Sequence, residues 1–438
     1  DYTEMPNGVI EDFTFDNIDR LDILAHYNGS IAAPNLKDSF DYNYRADNKR
    51  VGMTETFKTT NVNNTYTWTY DEAGRLLSEQ IASSDAALSQ TEAYEHDLVG
   101  NRTKKTIDKT STAYVDQVFA YTYNNNDQMT GETLDNGVNG VGVDQTTGHT
   151  WNASQQATKT VSVPSVSSVV QTFTYSLQNR LASLKTESYN GSNVLQSRTK
   201  VDYQYRPEGL RTVSIDYNDA NLDGTFTASE KTSSIEYLLD MNNMTGYGQA
   251  VIETHKDGNG VTTKQVRYTF GTDEITQTTV TYTAGNPTSS ETLSFGHDGH
   301  GSTRVLYQAA AAITQAFVYS AYGELLSIYA ANGTKVTPPA TGNYESLAST
   351  TMLYNGEAFM NSSGFYNFRA RPYAAGRGVL IGTDEFGGDV NNPFSFNKHG
   401  FVHGDPANGI DPSGRLVSLL ISLTKNAAVL GAAATALG

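Results

Sequence analysis

Residues 219–230 have the oxygen-bearing side chains, at the spacing, that EF-hand loops use to bind calcium. The segment reads Asp-Ala-Asn-Leu-Asp-Gly-Thr-Phe-Thr-Ala-Ser-Glu and matches the pattern Asp-x-Asn-x-Asp-Gly-x5-Glu at every position. The oxygen ligands of Ca²⁺ would come from Asp219, Asn221, Asp223, the carbonyl of Thr225, Thr227 directly or through water, and Glu230. The flanks, 210–215 and 235–239, have the alternation of strands and not of EF-hand helices. The sequence therefore predicts an isolated EF-type loop between strands, with a polar hairpin loop as the alternative.

Four histidines in the C-terminal third could suggest a transition-metal site. They are His297, His300, His399 and His403. The first two are close together in a glycine-rich stretch, which is a poor preformed site, and the chain has no cysteine to complete a zinc site. We therefore interpret all four as turn and core histidines, and we expect no cofactor besides Ca²⁺.

A sequence motif that is repeated along the first half of the chain indicates which elements position these residues. An aromatic and a polar residue open it, and a Gly or Asn, an Arg or other polar residue and an apolar residue follow. The clearest copy is Tyr-Asp-Glu-Ala-Gly-Arg-Leu at 70–76, and further copies start at Phe15, Tyr44, His96, Tyr123, Trp151, Tyr175 and Tyr205. The starting positions lie 24 to 30 residues apart. A period of this size indicates an array of supersecondary units and not one closed core.

Each repeat has the pattern of a β-hairpin. Alternating runs such as 66–70 and 118–123 are typical of half-buried strands. The Asp-x-x-Gly-Arg segment is typical of the turn, because Asp can bond nearby backbone groups and Gly accepts positive φ. A lone hairpin is marginal in water, so neighbouring hairpins must pair edge to edge. The sequence therefore predicts an all-β fold in which the hairpins form one long, curling sheet.

The composition agrees with strands and excludes one class of partner. Tyr occurs 27 times and Gly 38 times, and 18% of the 438 residues are charged, which favours strands and tight turns over acidic disorder. The formal net charge is −17 and no basic stripe is present, so we expect no nucleic-acid partner. The chain starts with Asp and without a leader, and we expect an internal piece of a longer protein with its export signal elsewhere.

Three phrases that follow the repeats carry a family resemblance. They are His-Gly-Ser-Thr-Arg at 300–304, Phe-Tyr-Asn-Phe-Arg-Ala-Arg-Pro-Tyr at 365–373, and an end from 397 that closes with Asp-Pro-Ala-Asn-Gly-Ile-Asp-Pro-Ser-Gly at 405–414. Together with the repeats, they resemble the YD repeats and core phrases of the RHS (rearrangement hotspot) family over about residues 10–416. That family includes bacterial polymorphic toxins, the C subunits of insecticidal Tc toxins, wall-associated proteins and teneurins.

The resemblance implies a hollow β-shell, in which a strip of sheet spirals around a cavity and a turn-rich plug closes it. On this basis the chain has a YD-repeat shell at 1–294 that contains the 219–230 loop, a shell continuation at 295–352, a terminal plug and autoprotease region at 353–416, and an apolar segment at 417–438. We expect the apolar segment to begin an enclosed C-terminal cargo. A translocation segment or a packed plug are the alternatives, and membrane contact is expected only there.

The resemblance also implies a self-cleaving aspartic site. Asp384 and Asp411 match the two catalytic Asp residues of the family. Two confined carboxylates would share a proton, so that one acts as base on a water while the other polarises the scissile carbonyl. The expected cut lies just beyond Gly414, at the bond between Arg415 and Leu416 or the bond between Leu416 and Val417. The chain departs from the family phrase at Thr383, Glu385 and Arg415. The alternative is that both Asp residues cap turns.

The leading hypothesis is a secreted or cell-surface bacterial shell that encapsulates a C-terminal toxin or effector and releases it as a single-turnover, self-cleaving aspartic peptidase. Its partners would be its own cargo and, outside the shell, secretion machinery or a neighbouring cell surface. The rival hypothesis is a non-enzymatic extracellular adhesion or scaffold protein of the teneurin or wall-associated type.

Overall fold

A computed structural model describes residues 2–58, 60–137, 143–153, 155–338 and 343–415, and the backbone of 418–419. The described ranges contain strands and short 3-10 turns but no α-helix. No helix in this part of the chain is both long and apolar enough to cross a membrane. The 3-10 turns are Ala33–Asn35, Ala228–Glu230, Ala309–Ala311, Tyr344–Leu347, Tyr354–Gly356, Ala375–Arg377, Pro393–Phe396 and Val402–Gly404.

Twenty-five strands, β1 to β25, form one antiparallel sheet that we call the wall. In chain order they are Tyr2–Glu4, Val9–Phe15, Leu21–Asn28, Leu36–Tyr44, Arg50–Phe57, Val62–Tyr70, Leu76–Ser83, Gln90–His96, Arg102–Lys109, Gln117–Tyr123, Met129–Asp135, Gln145–Asn152, Gln155–Val163, Ser167–Tyr175, Leu181–Asn190, Leu195–Tyr205, Arg211–Asn218, Lys231–Asp240, Gln249–Asp257, Thr262–Phe270, Glu274–Thr283, Asn286–His297, Thr303–Tyr307, Ile313–Tyr319 and Leu325–Ala330. Each strand pairs with its neighbours in sequence. Within the described residues β1 and β25 do not pair, so the wall is a strip and not a closed barrel. The predicted all-β architecture of successive hairpins is confirmed.

The wall has an inner and an outer face because side chains alternate along each strand. In β6, Val62, Asn64, Tyr66 and Trp68 are buried, while the residues between them are exposed. The inner face therefore carries aromatic and polar side chains together, and its polar groups need partners inside the protein.

The repeat phrase forms the turn of each hairpin and a link to the previous hairpin. Asp71 accepts hydrogen bonds from the backbone N–H of Arg75 at 2.8 Å and from its Nε at 2.6 Å, and Gly74 has φ +86°. The hydroxyl of Tyr70, which opens the phrase, donates to the carbonyl of Arg50 at 2.6 Å. Equivalent bonds run from the side chains of Tyr44 to Leu21, Tyr123 to Arg102, Trp151 to Met129 and Tyr205 to Leu181. The opening aromatic residue therefore ties its hairpin to the previous one.

The strip winds back on itself, so that late strands pack against early ones. Arg304 on β23 lies 3.5 Å from Glu55 on β5, and the carbonyl of Gly299, just after β22, accepts a hydrogen bond from Arg50 at 2.7 Å. The main apolar core joins residues of β2–β8 with residues of β20–β25. The predicted boundary between 294 and 295 falls inside β22, and the wall continues across it.

Residues 353–415 form a turn-rich unit, the plug, that packs against this winding. Its strands are β26 to β29 (Phe359–Met360, Phe365–Phe368, Arg371–Ala374 and Val379–Leu380) and β30 (Gly409–Ile410), which pairs with β31 (Ser418–Leu419). Lys49 in the wall forms an ion pair of 2.5 Å with Asp405 in the plug, and Tyr373 donates to the carbonyl of Tyr322 at 2.7 Å. The plug thus covers the end of the wall where the repeat turns lie.

Candidate functional site

The structure brings Asp384 and Asp411 to one guanidinium group. Nη2 of Arg371 lies 2.8 Å from Oδ2 of Asp384 and 3.5 Å from Oδ2 of Asp411. The Asp411 and Arg371 side chains are almost completely buried, and that of Asp384 is 15% exposed. The two Asp residues that the resemblance pairs are therefore neighbours in space, with an arginine between them that the sequence analysis did not include.

Strand β28 and two loops position these three side chains. Arg371 is the first residue of β28, which is held between β27 and β29. Its Nη1 donates to the carbonyl of Lys398 at 2.9 Å, and the same carbonyl accepts the backbone N–H of Asp384 at 3.1 Å. Its Nε donates to the carbonyl of Gly414 at 2.5 Å. The Arg371 side chain therefore connects strand β28, the loop of Asp384 and the segment that contains Gly414.

Each Asp residue also closes its own turn. Oδ1 of Asp411 accepts the backbone N–H of Arg415 at 3.0 Å and the hydroxyl of Ser413 at 3.2 Å. Oδ1 of Asp384 accepts the backbone N–H of Phe386 at 2.9 Å. In both residues one carboxylate oxygen caps a turn and the other faces Arg371, so the capping role and the paired arrangement occur together.

A second arginine supports the same segment. Nη1 of Arg369 lies 2.6 Å from Oε1 of Glu357 and also donates to the carbonyl of Pro412. Burial raises the pKa of Glu357 to about 7, against the opposing effect of the Arg369 charge. The signal for both arginines was present in the sequence, because they are the two Arg residues of the Arg-Ala-Arg phrase at 369–371.

The residues of the expected cut lie at the edge of the described chain. Arg415 is exposed and its guanidinium lies 3.2 Å from Oε2 of Glu385, which follows Asp384 directly. Leu416, Val417 and the side chains of the apolar segment 417–438 lie outside the described residues. Asp411 accepts the backbone N–H of Arg415, so the pair of carboxylates lies beside the first residue of the expected cut.

The predicted calcium loop joins β17 to β18, and an arginine enters it. Nη1 of Arg198 on β16 lies 2.7 Å from Oδ2 of Asp219 and donates to the carbonyl of Leu222 at 3.1 Å. The same oxygen of Asp219 accepts the backbone N–H of Gly224 at 2.9 Å. Calcium would have to displace Arg198 from this carboxylate to bind it.

The other predicted ligands of the loop are engaged with one another. Asn221 donates to Oδ2 of Asp223 at 3.0 Å, and Oδ1 of Asp223 accepts the backbone N–H of Thr225 at 2.7 Å. Oε2 of Glu230 accepts both the backbone N–H and the hydroxyl of Thr227 at 2.9 Å, as in a capping box. These side chains are thus satisfied within the loop in this arrangement, and calcium binding stays a prediction.

The four histidines occupy separate positions. Nδ1 of His300 lies 2.6 Å from Oδ1 of Asn355, and Nε2 of His297 lies 3.5 Å from Oε2 of Glu274. His399 packs edge-on against Trp151, and His403 lies near Asn392. Among the described residues, no group of three or more His, Cys, Asp or Glu side chains is arranged to hold a metal ion.

Comparisons with known proteins give matches to solved structures. No family profile and no curated protein matches this sequence. A crystal structure of TcdB2-TccC3 without its hypervariable C-terminal region matches with a TM-score of 0.52 at 15% identity, over 93% of this chain and 20% of that chain. A second TcdB2-TccC3 crystal structure gives a TM-score of 0.54 at 13% identity, over 93% and 21% of the two chains. The Tc holotoxin pore of Photorhabdus luminescens gives 0.53 at 14% identity, over 95% and 21%.

The chain therefore spans about one fifth of the length of the Tc toxin chains that it matches. Nearly all of the present chain takes part in the match, which includes the wall and the plug together. The fold implied by the family resemblance is confirmed: this chain has the fold of an RHS-type, YD-repeat β-shell.

Proposed function

We propose that this chain is a section of an RHS-type shell that encloses the polypeptide after residue 416 and releases it by self-cleavage near 415–417. The observation that carries the proposal is the convergence of Asp384 and Asp411 on Nη2 of Arg371, although they are 27 residues apart in sequence. The carbonyl of Gly414, one or two residues before the expected scissile bond, is bound to the same arginine.

The chemistry needs only water and the two carboxyl groups. One carboxylate removes a proton from a water molecule, whose oxygen adds to the scissile carbonyl carbon. The other, as the acid, donates its proton to the departing amide nitrogen, so a new carboxylate and a new amine are formed. Because enzyme and substrate are one chain, the effective molarity is high and a single turnover suffices. Arg371 would fix the Gly414 carbonyl beside both groups.

Intact-mass analysis of the purified chain tests self-cleavage directly. Wild type should yield fragments that divide at 415–417, whereas Asp384→Asn and Asp411→Asn should each remain one uncut species. Asp389→Asn is the matched control, because Asp389 is an exposed carboxylate in the same loop and closes a turn of its own. Wild-type protein that stays uncut over days would exclude self-cleavage.

The proposal extends to location and partners. The matched Tc toxin structures support a secreted or cell-surface protein whose first partner is its own C-terminal cargo. The outer surface of the shell would contact secretion machinery or a neighbouring cell surface. Any membrane contact would be made through residues 417–438. In limited proteolysis of the natural full-length protein, the cargo should resist cleavage until the shell is unfolded. A cargo digested as fast as a free domain would exclude encapsulation.

A second candidate function is a non-enzymatic extracellular adhesion or scaffold protein. The observation that favours it is that Arg371 forms ion pairs with both carboxylates, which suits a structural clamp on the plug. The departures at Thr383 and Glu385 point the same way. The mass experiment separates the two functions, since a clamp predicts one uncut species in the wild type as well.

A further inference from the structure

A small cavity lies where the plug meets the wall, apart from Asp384 and Asp411. Its volume is about 20 Å³. The wall contributes His96 and Arg102, and the plug contributes Gly378, Asn397 and His399. Since roughly 10–15 Å³ is enough for one water molecule, the cavity has room for a small inorganic guest.

Several buried polar atoms around this cavity have no partner in the described part of the protein. They are Nε and Nη1 of Arg102 and Nδ1 of His96. Arg102 is 5% exposed and His399 is 4% exposed. A Cβ on Gly378 would lie 3.1 Å from Nη1 of Arg102, which places this nitrogen against the Gly378 side of the cavity. Buried polar groups without a partner are rare and indicate a bound water or ion.

The charge of Arg102 is not balanced by a carboxylate. No acidic residue lines the cavity, and none of the described carboxylates lies within ion-pair distance of Arg102. The rings of Tyr94, Tyr121 and Tyr322 lie 4.9–5.5 Å from its Cζ, and Nη2 donates to the carbonyl of Gly376 at 2.8 Å. Rings over the guanidinium stabilise its faces, but they leave the in-plane N–H groups at Nε and Nη1 unpaired.

The two histidines leave the net charge of the cavity lining positive. Burial lowers the pKa of His96 to about 4, with the charges of Arg75 and Arg102 acting in the same direction. Burial likewise lowers the pKa of His399 to about 4. Both rings are neutral at pH 7, so Arg102 supplies the only full charge among the cavity-lining residues.

We propose that this cavity binds one monoatomic anion of the halide class, chloride in ordinary solutions, through the N–H groups of Arg102. Halide is the simplest ion of this class, because its spherical charge accepts from the N–H groups of Arg102 without further donors. A buried cation without a counter-ion is costly, and an anion in the cavity offsets that cost. Because His96 and Arg102 belong to the wall and His399 to the plug, the ion stabilises the closure of the shell.

Thermal unfolding in different sodium salts tests the site. At matched ionic strength and pH, chloride and bromide should raise the Tm of the wild type above its value in gluconate, by about 2 °C or more at saturation. Arg102→Met should lose this difference. Arg206→Met, which removes a surface arginine paired with Glu208, should keep it and thereby corrects for general salt effects.

A crystallographic readout needs no variant. Crystals grown in bromide should show an anomalous peak between Arg102 and His399. The proposal is overturned if the cavity holds only a water without anomalous signal, or if wild type and Arg102→Met respond equally to halide. Both results are independent of whether the chain cleaves itself.

Discussion

Tyr307 donates its hydroxyl hydrogen to the carboxylate of Asp38, a residue 269 positions earlier in the chain. Asp38 lies on β4 and Tyr307 on β23, so the bond joins two strands that are far apart in the pairing order of the sheet. His26 completes the cluster, with Nδ1 at 2.6 Å from Asp38 and Nε2 at 3.2 Å from Glu11. This group holds together the early and late parts of the winding.

The first prediction concerns Asp38. Asp38→Asn removes the charge that faces the fully buried His26, and the loss of one partner of a buried ion pair costs about 3–5 kcal/mol of unfolding free energy. Equilibrium unfolding in urea measures the loss. Asp108→Asn, at an exposed position on β9, is the control and should change stability by less than about 0.5 kcal/mol. Equal effects of the two substitutions would contradict the role of the cluster.

The second prediction is a pH dependence from His26. Burial lowers its pKa, but the charge and hydrogen bond of Asp38, together with Glu11, outweigh burial and raise the pKa from 6.5 to about 10. A folded-state pKa above the unfolded one means that the stabilisation is complete below pH 6.5 and is lost as the pH rises through about 10. Urea unfolding across this range should show stability falling with pH. In His26→Gln this part of the slope should be absent, and an unchanged slope would refute the assignment.

The third prediction concerns the aromatic residue that opens each repeat. Tyr70→Phe removes the hydroxyl that donates to the carbonyl of Arg50 and accepts from the side chain of Asn408, and it should lower the unfolding free energy by about 0.5–1.5 kcal/mol for each bond. Tyr114→Phe, at an exposed position in the connection between β9 and β10, is the matched control and should have little effect. Denaturant unfolding followed by circular dichroism makes the comparison. If Tyr70→Phe is neutral, the link between hairpins is not a source of stability.

The fourth prediction concerns Arg371 in self-cleavage. Arg371→Gln removes the group that holds the Gly414 carbonyl and both carboxylates, and a misplaced substrate segment should slow cleavage by about 10²-fold. Arg371→Lys keeps the charge without the forked geometry and should restore only part of the rate. The time course of the uncut species on gels gives the rate, and circular dichroism shows whether the variant is folded. A folded Arg371→Gln that cleaves at the wild-type rate would contradict this role.

The fifth prediction concerns calcium and Arg198. Calorimetry with millimolar Ca²⁺ should detect binding that Asp223→Ala abolishes, whereas Asp257→Ala, in another hairpin turn, should leave it intact. Because Arg198 is paired with Asp219, Arg198→Gln should free that carboxylate and tighten binding about tenfold. If neither the wild type nor Arg198→Gln gives a binding heat, the loop is not a calcium site.

Local features could be predicted from the sequence, and distant contacts could not. The calcium-like loop illustrates the difference. Its hairpin location and its capping contact between Thr227 and Glu230 follow from residues close in sequence. The entry of Arg198 depends on the register of β16 against β17, which places it 21 residues from Asp219 in sequence but at 2.7 Å in space. The pattern of acidic residues contains no information about that register.

The candidate catalytic site shows the same division. The resemblance named Asp384 and Asp411, and the Arg-Ala-Arg phrase was visible, but nothing in the sequence placed Arg371 between the two carboxylates. That contact depends on how the loops around Lys398 and Gly414 pack onto β28. Such packing is a property of the whole plug, because each loop is held by backbone groups of another segment.

By itself, the sequence determined the repeating hairpins, the strip of sheet and the family resemblance, because strand alternation and the Asp71–Arg75 type of turn act over a few residues. Only the tertiary structure decided which buried charges meet. Tyr307 lies 269 residues from its partner Asp38, and Asp411 lies 40 residues from Arg371; the winding of the wall and the packing of the plug bring these pairs together. In a low-dielectric interior these long-range contacts determine charge, and therefore chemistry.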